Sequence, residues 1–486
     1  MFIYVFACLL LLAPALQAVF DLPLQLACQQ AVLLAFLAWY WLAPDEKRRG
    51  VLAKKFRGLW AAAALSLLAL VVSPFKGYIF NEWGNYAAGL LIFVFSSFLS
   101  GQERAKTDRA VEAGAWLVFA LVLVQIFFLK DLAERPPLTN LNALALYGVM
   151  VAPLALARRS WLLAAAMASF LILSQSLGAA LAAFGAAAVY AAARFSSREG
   201  SGNKWLFAAL LAGAVTVIYF LQADSLAGRL AWWRSAWDMF LARPLTGFGH
   251  AAFTWAQAGF QQPGAFREHA VYAHNYYLEF LAENGLPAAA VWFCFLFGAA
   301  RSRAGLIKYS VIGALLHSFV DFGLSVPANF WLFCYLAAEP AQEAAPVKER
   351  PAPGGLFTFK AAFGLALLLE AALLTLNFKS LAFERARGRA LAAALGGSRA
   401  AAEAQLGPYL VRGLFRAPAL EFLGRLTFSG PAAGDKGFSS AVYYEMALLE
   451  NPYSSQAWRS LERLYGVAGR EREAAGLAAR KAEVYK

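Results

Sequence analysis

Charge is scarce in this chain of 486 residues. Asp, Glu, Lys and Arg together make up 15%, against roughly 25% in soluble domains. That excludes an ordinary cytosolic enzyme and a disordered protein. Cysteine is scarce too: Cys8, Cys28, Cys294 and Cys334 all lie in apolar runs. Their spacing offers neither a metal site nor a disulfide framework, so they read as small apolar side chains. Histidine occurs four times. What is abundant is apolar surface, at 60% hydrophobic residues. The net charge of +13 looks at first like a nucleic-acid signal. Its placement along the chain argues instead for basic loops on one side of a membrane.

A membrane helix needs about 20 apolar residues to cross roughly 30 Å of hydrocarbon. Thirteen candidate spans fit, at about 2–19, 25–43, 58–73, 79–100, 110–129, 140–157, 161–174, 178–193, 205–221, 276–299, 306–320, 325–338 and 356–378. The first span lacks a basic N-terminal region and reads as a retained helix, although Ala15-Leu16-Gln17-Ala18 is weakly like a cleavage site. Alternate short loops differ in charge. One set carries Lys47, Arg48, Arg49, Lys54, Lys55, Arg57, Arg104, Lys106, Arg109, Arg158, Arg159, Arg194, Arg198, Lys204, Arg301, Arg303, Lys308, Lys348 and Arg350, and the other only Lys76, Lys130 and Arg135. The basic set is therefore expected in the cytoplasm, with the N-terminus inside. The expected class is an all-α polytopic membrane protein of about 12–13 transmembrane helices with a small C-terminal helical domain. Residues 1–221 form spans one to nine and 222–273 an outer loop with an amphipathic helix. Spans ten to twelve follow in 274–338. Residues 339–355, rich in Pro and Ala, make a cytoplasmic spacer. The last span is 356–378, and 379–486 is an outer-side tail.

The outer loop holds Arg229, Arg234, Arg243 and Arg267, on the side that otherwise avoids positive charge. Ser225 to Leu241 reads as an amphipathic helix, with Arg229, Trp233 and Trp237 on one face and Arg234 paired with Asp238 on another. Two readings stand. One is an interfacial helix with Trp in the headgroup layer and Arg on lipid phosphates. The other is a site for a phosphorylated lipid, since the Arg fork grips phosphate oxygens and keeps its charge. His250 and His269 read as loop residues, and His317 as one half of a hydrogen-bonded pair with Asp321. His274 stands at the lip of a span, where an imidazole can serve as a general base. The tail reads as helices through Tyr444–Leu448, Trp458–Tyr465 and Ala474–Ala478, similar to a tetratricopeptide repeat.

Four pieces carry a family resemblance: Gly228-Arg229-Leu230-Ala231-Trp232-Trp233-Arg234; Arg243-Pro244-Leu245-Thr246-Gly247-Phe248-Gly249; His274-Asn275-Tyr276-Tyr277-Leu278-Glu279 running to Glu283-Asn284-Gly285-Leu286-Pro287; and His317-Ser318-Phe319-Val320-Asp321-Phe322. Together they resemble the O-antigen ligase and polymerase superfamily of polytopic bacterial membrane glycosyltransferases, with a GT-C-like bundle. The resemblance implies inverting, metal-independent transfer of a glycan from undecaprenyl diphosphate, on the periplasmic face of the inner membrane. The acceptor would be lipid A core, another lipid-linked glycan or a protein. It implies Arg229 on the diphosphate, with Arg234 assisting, and His274 as base. Asn275, Tyr277 and Asp321 would orient His274 or the sugars. No cofactor is implied; the partners would be the two glycan substrates, membrane lipids and a periplasmic protein on the tail, and no nucleic acid. One departure stands out. The family often has Ser-Arg-Gly before the eighth span, and here Ser176-Leu177-Gly178 puts Leu177 in place of that Arg. Lys76, Lys130 or Arg135 would then have to supply the second phosphate contact. Two other readings remain open: a lipid-linked glycan flippase or transporter, and an inactive scaffold.

Overall fold

The computed structural model of the protein describes residues 2–195, 223–261, 270–339, 355–428 and 435–485, and among these every regular element is helical. Ala and Leu are strong helix formers, and in hydrocarbon a helix pairs each backbone amide within its own segment. The helices are α1 (Phe2–Leu12), α2 (Leu22–Leu42), α3 (Asp45–Val51), α4 (Arg57–Val71), α5 (Lys76–Ser96), α6 (Gly101–Val124), α7 (Leu141–Ala157), α8 (Trp161–Ser174) and α9 (Leu177–Phe195). After the outer loop begins come α10 (Ala223–Ala242), the short α11 (Phe253–Ala256), α12 (Tyr276–Ser302), α13 (Ile307–His317), α14 (Pro327–Ala337) and α15 (Gly355–Leu395). The tail adds α16 (Arg399–Leu410), α17 (Arg416–Phe428), α18 (Asp435–Glu450), α19 (Ser455–Val467) and α20 (Glu471–Val484).

The protein is an all-α polytopic membrane protein. Among the described residues, Leu22–Leu42, Gly101–Leu129, Tyr276–Ser302 and Lys360–Leu395 are each long and apolar enough to cross a bilayer alone. Large apolar side chains such as Leu162, Ile172, Phe184 and Leu368 point outward, as lipid-facing positions do. The span expected at 205–221, Arg267 and His269 lie outside the described residues.

Four expected spans have different lengths. α1 stops at Leu12, because Pro14 lacks the amide that the next turn needs, and Gln17, Ala18 and Val19 take left-handed φ of 48°, 55° and 67°. α13 and α14 have eleven residues each, about 16 Å at 1.5 Å per residue, too short to cross alone. The polar turn between them is tolerated because it is buried in protein rather than lipid. Every residue of α14 is buried. The last expected span, 356–378, does not end there: α15 runs 41 residues to Leu395. The chain loses its hydrophobicity past residue 378 but keeps Ala, Leu, Arg and Glu, so the helix has no reason to stop.

The two ends of α5, about 30 Å apart by helix rise, differ in chemistry. Beyond its C-terminus, Arg104 donates to the carbonyls of Tyr335 (3.0 Å) and Ala338 (3.1 Å), and Arg303 to that of Leu336 (2.9 Å). Three carbonyls left open where α14 ends are thus satisfied by guanidinium groups. Arg158 pairs with Glu112 at 2.9 Å nearby. The N-terminal end of α5 meets the outer loop and the tail: Ser73 Oγ donates to the Phe248 carbonyl, and Phe80 packs on Phe415 at 5.8 Å. The outer loop and the tail therefore share one end of the bundle.

Candidate functional site

Two glycine-dependent contacts fix the outer loop. α12 is interrupted at Gly285, with φ 74° and ψ 170°, just before Pro287. The freed backbone binds the loop: Phe248 N donates to Ala282 O (3.1 Å), Gly249 N to Glu283 O (2.7 Å) and Leu286 N to Pro244 O (2.8 Å). The approach is so close that a Cβ on Gly247 would strike the Glu283 carbonyl, and one on Gly285 the Leu245 carbonyl. Only glycine takes these positive-φ positions without strain. The Pro-Leu-Thr-Gly-Phe-Gly and Glu-Asn-Gly-Leu-Pro motifs are the two halves of one joint.

The N-terminal end of α12 carries the chemistry. Asp321 is fully buried in the turn after α13. Its Oδ1 lies 3.3 Å from His274 Nδ1 and its Oδ2 3.7 Å from an Arg229 guanidinium nitrogen. One carboxylate thus gathers a cation from α10, an imidazole from the lip of α12 and its own turn. Burial pushes the Asp321 carboxyl up, but the His274 contact, with His317 and Arg229, outweighs it and holds it below the ordinary aspartate value. His274 has a left-handed φ of 52°, a strained conformation for a residue bearing a Cβ. It is held there by its neighbours: Trp232 stacks on the imidazole (5.0 Å, 23°), Phe322 meets it edge-on (4.8 Å, 89°), and Trp233 Nε1 donates to its carbonyl (3.2 Å). Arg229 and His274, 45 residues apart in sequence, are brought together. Both side chains keep partial exposure, 18% and 21%.

The other expected residues have other tasks. Arg234 is 64% exposed and pairs with Asp238 at 3.1 Å, on the α10 face away from Asp321. Asn275 caps α12: its Oδ1 accepts from Tyr277 N (3.1 Å) and Leu278 N (3.0 Å). Tyr277 donates from its hydroxyl to the Leu315 carbonyl (2.9 Å), tying α12 to α13. The expected His317–Asp321 side-chain hydrogen bond is absent: both ring nitrogens of His317 are buried without a partner, and Asp321 turns to His274 and Arg229 instead. Arg243 donates to the Val72 carbonyl (3.1 Å). Gly178 packs on this turn; a Cβ there would sit 3.1 Å from Val320 Cγ2 and 3.8 Å from Asp321 Oδ2. Leu177 precedes this glycine in the chain.

Residues 162–293 match the family model described as O-antigen ligase. This segment is similar to O-antigen ligases. It includes Leu177, Arg229, His274 and the α12 joint, and Asp321 comes to the same site from outside it. No curated protein and no solved structure matches the chain.

A cavity of about 200 Å³ lies beside the Arg229–Asp321–His274 cluster, lined by Glu82, Glu279, Glu283, His250, Tyr86, Trp255 and others. Reading the sequence missed it. Its carboxylates come from α5 and α12. His250 is part of this wall rather than a surface loop residue: its ring lies 5.0 Å from that of Tyr86, and burial pushes it down to about 4.

Proposed function

We propose that the protein transfers a glycan from undecaprenyl diphosphate to an acceptor hydroxyl at this end of the bundle, on the periplasmic face of the inner membrane, as an O-antigen ligase acting on lipid A core. The observation that carries the reading is the convergence of Arg229 and His274 on the two oxygens of Asp321.

Arg229 lies loosely against Asp321, so its remaining N–H groups can fork onto the diphosphate. It would stabilise the charge that grows on the leaving group. Asp321, facing Nδ1, would hold the proton there and leave Nε2 as the basic nitrogen. Nε2 takes the proton of the acceptor hydroxyl as that oxygen attacks the anomeric carbon. The new C–O bond forms as the bond to phosphate breaks, and the electron pair leaves with the lipid diphosphate. Attack opposite the leaving group inverts the anomeric centre. A positioned base contributes about 10²–10⁴-fold. Asp321 acts through His274 as a positioning residue.

The test uses the full chain in liposomes with a synthetic undecaprenyl-diphosphate glycan, with and without lipid A core. Transfer to core should fall by at least about 100-fold in His274→Ala and in Arg229→Ala. Lengthening of the lipid-linked glycan without core would reassign the chain as a polymerase. Wild-type protein that forms no product with either acceptor, but moves the glycan lipid across the bilayer, would sink the enzyme reading in favour of a transporter.

A further inference from the structure

The carboxylate cavity has no task in the reaction just described. It contains neither Arg229 nor His274, yet it shares a wall with them. Tyr272, on the cavity wall, stacks on Phe322 (4.4 Å, 9°), whose other contact is the His274 ring. Glu279 Oε2 accepts from Ala273 N (2.7 Å), the amide just before His274.

The carboxylates are fixed in place by the protein. Glu82 accepts from Gln25 and Asn85, both at 2.9 Å. Glu279 Oε1 accepts from Ser325 (2.7 Å), and Glu283 Oε1 from Phe253 N (3.0 Å). A carboxylate offers about four acceptor sites, so each retains capacity for another donor. The Tyr86 hydroxyl is a second, independent observation. Tyr86 is 2% exposed, lines the cavity, and its hydroxyl has no hydrogen-bond partner. A buried polar group left without a partner is costly and rare, and this one belongs to a residue of the cavity wall.

The lining selects the occupant. Glu82, Glu279 and Glu283 offer a phosphate no positive charge. A purely apolar guest would leave the spare acceptor sites of the carboxylates unused and the Tyr86 hydroxyl without a partner. An uncharged sugar ring offers both kinds of surface: hydroxyls for Glu82, Glu279, Glu283 and Tyr86, and C–H faces for the rings of Trp255 and Tyr272. We infer that this cavity is a saccharide subsite that seats one uncharged sugar ring beside the diphosphate-binding Arg229. The inference rests on the function proposed above. The division is chemical: the guanidinium side takes the diphosphate, and the side lined by carboxyl groups and aromatic rings takes the sugar.

The sugar could belong to donor or acceptor, and binding measurements on the full chain in nanodiscs separate the two. The probes are undecaprenyl diphosphate, the same lipid bearing one N-acetylglucosamine, and lipid A core. Tyr86→Phe removes a hydroxyl that bonds to nothing in the protein, so the fold has no reason to change; Trp255→Leu removes the ring face. Each variant should weaken one saccharide probe by about 5- to 10-fold and leave bare undecaprenyl diphosphate unchanged. Loss confined to the N-acetylglucosamine lipid assigns the cavity to the donor sugar, and loss confined to lipid A core to the acceptor. Unchanged affinity for both saccharide probes in both variants would overturn the subsite, as would an equal loss for the bare lipid. Arg229→Ala reports separately: if it leaves the bare lipid's affinity unchanged, the proposed function fails whatever the cavity does.

Discussion

Gly178 presses against the turn that holds Asp321, and Leu177 beside it brings no charge. The resembling family often carries Arg at this position, and the next residue, Gly178, packs on the turn of the carboxylate that Arg229 approaches. A guanidinium introduced there would give a diphosphate a second fork. Leu177→Arg is expected to lower KM for the lipid-diphosphate donor by about 5-fold or more, measured by transfer kinetics at fixed acceptor; a raised KM would mean that Asp321 captures the new cation instead. His250 makes a different residue-scale case. Its folded value of about 4 lies below the ordinary value of about 6.5, and burial rather than the Glu283 carboxylate 4.0 Å away sets the direction. Between those two values the unfolded chain binds a proton that the folded protein refuses. Stability is therefore fully present above about pH 6.5 and is lost progressively as pH falls toward 4, by up to roughly 3 kcal/mol. Melting curves of the wild type and His250→Gln from pH 4.5 to 7 should converge toward low pH; parallel curves would exclude the group.

The decisive element is α12, broken at Gly285 and laced there to the outer loop. Gly285→Ala would force a Cβ into the Leu245 carbonyl at a positive φ, a cost of about 1–3 kcal/mol before any clash is relieved. Gly298→Ala on the same helix meets open space and is expected to shift stability by no more than about 1 kcal/mol. Thermal melting of the two variants in detergent compares them directly, and equal shifts would mean that the joint carries no strain. The same helix shows what sequence can and cannot convey. Pro244, Gly247 and Gly249 are legible as a helix break, because backbone demands leave a residue-type trace, whereas Gly285 and Pro287 lie within what reads as one continuous span, 276–299. The interlocking of the two motifs was not legible, since it depends on which two breaks meet. Arg229 and His274 were legible by their unusual setting, a cation and an imidazole at an apolar lip. Asn275 and Tyr277 stood in the same motif, but one caps the helix and the other ties it to α13; spacing alone does not separate a cap from a substrate contact. Glu82 left no pattern, and Glu279 and Glu283 stood in the His274 motif without pointing to a cavity, because packing of α5 against α12, not any local repeat, makes the three neighbours.

At the scale of the molecule, the tail is part of the working end of the bundle. Tyr453 packs edge-on against Phe248 (4.8 Å) and Tyr485 against Phe260 (5.1 Å), and the Tyr485 hydroxyl donates to the Tyr453 carbonyl (3.0 Å). Between Phe248 and Phe260 lie His250 and Trp255, which line the acidic cavity. The loop is thus clamped, with α12 on one side and the tail on the other, and the tail supports the cavity without lining it. Tyr453→Ala with Tyr485→Ala removes the tail side of the clamp and leaves the glycine joint to α12 intact. The expected result is faster proteolysis in the 248–260 segment together with a drop in transfer rate of about 10-fold, the equivalent of roughly 1.4 kcal/mol of lost positioning. Arg229 and His274 do not touch the tail, so bare undecaprenyl diphosphate should still bind as in the wild type. Faster proteolysis with an unchanged transfer rate would show that the tail protects the loop without shaping the site, and the coupling between the two would have to be given up.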